Sequence, residues 1–75
     1  MFKTTRGLVL REVRYKEADR ILTVLTEDMG KMTVKARGAL RKGSKIAAAT
    51  QFLVFSELTM LERNGFWTVS EGSTI

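Results

Sequence analysis

The sequence predicts an all-β domain, a small barrel of five short strands. Three observations point there. Apolar and β-branched runs of strand length recur along the chain, separated by turn signals. Asn64-Gly65, the strongest two-residue hairpin signal in the chain, sits between the last two of those runs. The chain has 75 residues and no Cys, and closing its strands into a barrel removes exposed edges without a disulfide.

Thr5 to Tyr15 reads as the first strand, rich in apolar residues around Leu8, Val9, Leu10 and Val13. Arg20 to Thr26 is the second. Glu27-Asp28-Met29-Gly30 reads as a turn, with Gly30 free to take positive φ. Lys31 to Arg37 alternates as the third strand, with Met32, Val34 and Ala36 on one face and Lys31, Thr33, Lys35 and Arg37 on the other. Between strands three and four, Gly38 to Gly43 is a basic loop. Ser44 then precedes Lys45-Ile46-Ala47-Ala48-Ala49, which predicts a Ser-capped helix of one to two turns. Gln51 to Leu61 is the fourth strand, with Phe52 and Phe55 on opposite faces so that at most one ring is free. Phe66 to Ser70 is the fifth. Five strands with a short helix between the third and fourth is the element order of an OB-fold Greek-key barrel. An SH3-like barrel is the competing architecture, and the helix favours OB.

Composition narrows the function. Without His or Cys, a catalytic triad, a thiol enzyme and the common zinc sites are excluded, and no other nucleophile–base pair is evident. The expectation is a protein that is not an enzyme and needs no cofactor. No run approaches the roughly 18–20 apolar residues of a membrane span, and the start lacks a signal-peptide core, so a cytoplasmic protein is expected. The net charge of +5 and a pI near 10.1 suggest an anionic partner such as nucleic acid.

That charge is unevenly spread. Met29 to Ser56 contains no Asp or Glu but holds Lys31, Lys35, Arg37, Arg41, Lys42 and Lys45. The loop Gly38-Ala39-Leu40-Arg41-Lys42-Gly43-Ser44-Lys45 lacks the order of a nucleotide-hydrolysing P-loop, because Ser44-Lys45 is reversed. Its glycines and cations still suit backbone phosphates. Glu17 and Asp19 read as solvated loop acids or partners for Lys16 and Arg20. Among the aromatic residues, Tyr15 and Trp67 are the candidates for stacking on a base, and most of the others are assigned to the core.

Several segments together carry a family resemblance: Gly7-Leu8-Val9-Leu10-Arg11, Tyr15-Lys16-Glu17-Ala18-Asp19-Arg20-Ile21, Leu25-Thr26, Gly30-Lys31 and Ala36-Arg37-Gly38-Ala39. Their order and spacing resemble the N-terminal domain of bacterial RecO. The resemblance implies an OB fold that binds single- and double-stranded DNA and anneals complementary strands. It implies work with RecR, and in many bacteria RecF, to load RecA in recombinational repair, and hence association with the nucleoid. The DNA-facing residues it implies are Lys35, Arg37, Arg41 and Lys42, beside Lys45 of the same basic stretch. Arg11, Arg14 and Arg20 are secondary candidates near the first loop, with Tyr15. Proteins of this family continue into a helical domain with a cysteine zinc site, so residues 1–75 are expected to be the N-terminal domain of a longer protein. Contact with single-strand-binding protein is expected mainly from that further part. The alternative reading is a protein-interaction module that docks RecR or another repair partner.

Overall fold

A computed structural model describes residues 1–75. The strands are β1 (Phe2–Tyr15), β2 (Asp19–Thr26), β3 (Gly30–Ala36), β4 (Phe55–Arg63) and β5 (Phe66–Thr74). They close into a barrel in the order β1-β2-β3-β5-β4, antiparallel except where β3 meets β5 at Lys35 and Thr68. This is the expected OB-type architecture. No helix is long and apolar enough to cross a membrane.

β1 serves two neighbours. Its first half pairs with β4 and its second half with β2, and Gly7 faces both Thr26 and Ser56 at the crossing. A Cβ on Gly7 would lie 2.6 Å from Val24 Cγ1, so glycine permits that close approach. Strand alternation fills the interior with Val9, Leu22, Val24, Val34, Ala36, Leu58, Met60 and Val69. The two turn expectations hold: Gly30 and Gly65 both take positive φ, and Asn64 joins Gly65 in the two-residue hairpin.

Bulges set which side chains face inward. The β1–β2 register slips between Val9 and Arg11. The extra residue, Leu10, turns the strand over. Val9 faces the core before it; after it, Glu12 stands opposite the buried Leu22 and points inward, while Val13 is exposed. A buried cation answers that acid. Arg20 is only 8% exposed and ion-pairs with Glu12. Its guanidinium also donates to the Ala47 carbonyl at 3.0 Å and to Thr50 Oγ1 at 2.8 Å.

The segment after β3 corrects the helix expectation. Lys45 to Ala47 form turns, and the only helical piece is a 3-10 turn at Ala48–Thr50. Ser44 does accept from the Ile46 N–H at 3.3 Å, but that bond closes a local turn and caps no α-helix. The carbonyls that would propagate a helix are engaged instead: Thr50 Oγ1 donates to Ile46, Arg20 to Ala47, and Ser56 Oγ to Ala49 at 2.8 Å. Ala39, Ile46 and Ala49 from this segment join the core. β4 also begins later than expected. Leu53 sits at φ 63°, which breaks the strand alternation before Phe55. Phe52 therefore lies outside β4, and both Phe52 and Phe55 are exposed, contrary to the expectation of one free ring.

Two predictions follow from these contacts. Arg20→Ala leaves Glu12 unpaired and frees the Ala47–Thr50 turn, and should lower stability by about 3 kcal/mol, the scale for breaking a buried pair, measured by urea unfolding. The second concerns Asp28, which accepts from Thr5 Oγ1 and ion-pairs with Lys3 at 2.9 Å, fastening the β2–β3 turn to β1. The Thr5 hydroxyl first, and then Lys3, hold its carboxyl below the ordinary value of 3.8. A lowered folded-state pKa stabilises above pH 3.8, and the gain is lost as pH falls through the folded value. Asp28→Asn should therefore be less stable than wild type near neutrality. The difference should vanish below that range, as read from urea midpoints against pH.

Candidate nucleic-acid interface

Ladder register places the outward residues of β1, β2 and β3 in rows, because directly opposite residues share a face. Arg11, Thr23 and Thr33 form one row; Val13, Ile21 and Lys35 form the next; Tyr15 and Asp19 begin a third, toward Arg37. This is the outer face of the barrel beside the β1–β2 loop. It lies next to an open cleft of about 830 Å³ lined by Lys16, Asp19, Lys35, Arg37, Leu40 and Arg41, together with Glu17 and Ala18.

Two backbone anchors assemble the cleft. The Gly38 N–H donates to Asp19 Oδ1 at 2.7 Å, and the Leu40 N–H donates to the Ala18 carbonyl at 2.8 Å. They tie the loop after β3 to the β1–β2 loop, so Arg37 and Arg41 stand across from Lys16. Tyr15 gathers two more charges. The ammonium groups of Lys16 and Lys35 each lie 5.3 Å from its ring centroid, within cation–π range.

The charge in this cleft is free. The ion pairs of the chain are Lys3–Asp28, Arg6–Glu27 and Arg20–Glu12, and none involves Lys16, Lys35, Arg37 or Arg41. Asp19 spends an oxygen on the Gly38 N–H. The arrangement can bind an extended anion, such as a run of phosphates.

Lys35, Arg37 and Arg41 line the cleft, and Tyr15 does not line it but meets Lys35 through its ring. Arg11 lies on the same outer face, two rows from Tyr15. Lys42 and Lys45 are exposed on the following loop but do not line the cleft. Arg14 stands opposite Arg20 and so belongs to the other face of β1, although it is exposed. Arg20 is not on the surface at all: its partner is Glu12, neither solvent nor Glu17, because the Leu10 bulge turns Glu12 inward to meet it. Trp67 packs against the core instead of presenting its ring.

The model for the family described as Recombination protein O N terminal matches residues 1–75. The chain belongs to this family. Its curated relatives include the DNA repair protein RecO of Halalkalibacterium halodurans, 36% identical over 75 residues, which are 100% of this chain and 30% of that protein. The DNA repair protein RecO of Acetivibrio thermocellus is 38% identical over 71 residues, 95% of this chain and 28% of that protein. The DNA repair protein RecO of Listeria monocytogenes serotype 4b is 38% identical over 69 residues, 92% of this chain and 27% of that protein. The chain thus spans less than a third of the length of these RecO relatives.

One cation of the cleft is absent from the sequence-based candidates. Lys16 lies inside the RecO-like run Tyr15 to Ile21 but reads there as a partner for neighbouring acids. Its positive φ of 57° marks the turn that throws it toward Tyr15.

Proposed function

We propose that this barrel binds DNA strands through their phosphate backbone, and that it does so without catalysis. The observation that carries the reading is the convergence of Lys16, Lys35, Arg37 and Arg41, none of them ion-paired, on an open cleft beside the β1–β2 loop. The β2–β3 face and neighbouring loops of OB barrels are a common oligonucleotide surface. Backbone contacts carry no sequence information, so little base preference is expected. Neutralising phosphates on two strands lowers their mutual repulsion, which is a physical route to annealing. In a full-length member of the family, this step would support RecA loading with RecR, and RecF where present, at the nucleoid in recombinational repair.

Docking of a repair partner such as RecR is the second reading. It is favoured by an apolar run outside β1, β2 and β4, where exposed Leu25 and Phe55 both stand opposite Leu8.

Fluorescence anisotropy of a labelled single strand at several salt concentrations separates the two. Four phosphate contacts give a log–log salt slope of about −3 for single strands. Arg37→Ala/Arg41→Ala should weaken binding and bring the slope to about −1.4, on the same coefficient. In the docking reading, that variant leaves any DNA affinity unchanged. An unchanged slope rejects the cleft as the binding surface.

A further inference from the structure

We propose that Phe66, on the same outer face as Phe2, is a base-stacking ledge that makes this barrel favour single-stranded over duplex DNA; the proposal rests on the backbone-binding reading above.

Phe66 is 77% exposed and Phe2 66%, yet both lie on strands and not on loose loops. Strand parity explains the exposure of Phe66. Val69 is buried and Trp67 packs on the core, so Phe66 and Thr68 take the outer face. The Asn64-Gly65 turn, with the Gly65 N–H donating to Glu62 Oε2 at 2.7 Å, fixes Phe66 opposite exposed Arg63.

The register joins these rings to the basic cleft. Lys35 pairs with Thr68, Thr68 with Leu61, and Leu61 with Phe2, a single row across the outside of β3, β5, β4 and β1. Neighbouring strands are about 4.8 Å apart, so Lys35 and Phe2 are separated by about 14 Å along that row. Phe66 is two residues from Thr68 on the same face, about 7 Å along the strand. A strand whose phosphates follow Arg41, Arg37 and Lys35 reaches Phe66 within a few nucleotides. Arg63 then stands beside the ring as a further phosphate contact.

Two other exposed rings are worse placed. The Tyr15 ring already faces two ammonium groups. Phe55 lies opposite Leu8, on the row that runs to Leu25 and not to Lys35. A duplex keeps its bases stacked on one another and offers no free base face to Phe66, whereas a single strand does.

The test compares labelled oligothymidine, an abasic strand of equal length and a duplex, by anisotropy at one salt concentration. Wild type should bind oligothymidine about tenfold more tightly than the abasic strand, the scale of one stacked base. Phe66→Ala should lose that advantage and leave abasic and duplex affinities unchanged. Phe66→Tyr should keep it, and Phe66→Leu, apolar but without a π-face, should not. Circular dichroism checks that each variant is folded. Equal wild-type affinity for oligothymidine and abasic strand overturns the ledge but leaves the cleft standing. So does full retention of the advantage in Phe66→Ala or Phe66→Leu; the latter outcome fits an apolar protein contact. No binding to any of the three overturns the ledge and the backbone reading together.

Discussion

The guanidinium of Arg20 holds the barrel to the loop that completes it. A charge removed from water costs several kcal/mol unless it is paired and its donors are used. Here Glu12, the Ala47 carbonyl and Thr50 Oγ1 meet it. The cost of burying the charge becomes specificity: only one path of the chain from β3 to β4 brings Ala47 and Thr50 to Arg20. That path also delivers Ala39, Ile46 and Ala49 to the core. A chain this short has little other apolar material with which to close its barrel.

The same strand end organises the exposed site. Asp19, one residue before Arg20, turns to the other side and takes the Gly38 N–H. Ala18 takes the Leu40 N–H. A buried cation and a half-buried acid at consecutive positions therefore pin both ends of one loop. Around the first of these pins, Arg37 and Arg41 emerge next to Lys16 and Lys35 with no acid neutralising them by an ion pair. The acids that do form ion pairs, Glu12, Glu27 and Asp28, serve the core and the β2–β3 turn. This division of labour leaves four cations of the cleft without an ion-pair partner, beside Glu17 and an Asp19 already engaged by the Gly38 N–H.

Much of this was legible in the sequence. Alternation in Lys31 to Arg37 told which residues of β3 face the core, and Asn64-Gly65 located the last hairpin. The run free of acids from Met29 to Ser56 located the basic surface. What escaped has identifiable physical causes. A bulge at Leu10 inverts the strand after it, and nothing in the local pattern distinguishes inward Val13 from inward Glu12. Arg20 read as a surface cation because its partners, Ala47 and Thr50, are distant in sequence. The Ala-rich segment has helical propensity, but the buried hydrogen bonds to its carbonyls outweigh it, and only the 3-10 turn at Ala48–Thr50 forms. Phe66 and Trp67 are adjacent aromatics, and only the packing of β5 decides which of them faces out.

In the proposed function, a buried Arg20 tether and an Asp19 clamp present one basic face to the DNA backbone. Amide chemical-shift mapping of the isotope-labelled domain, titrated with a single-stranded oligonucleotide, tests it most directly. The largest perturbations should fall on Tyr15 to Asp19 and on Thr33 to Arg41, with Arg14 and the Leu8–Leu25–Phe55 row little changed. Perturbations centred on that apolar row, or none in the cleft at low salt, would contradict it.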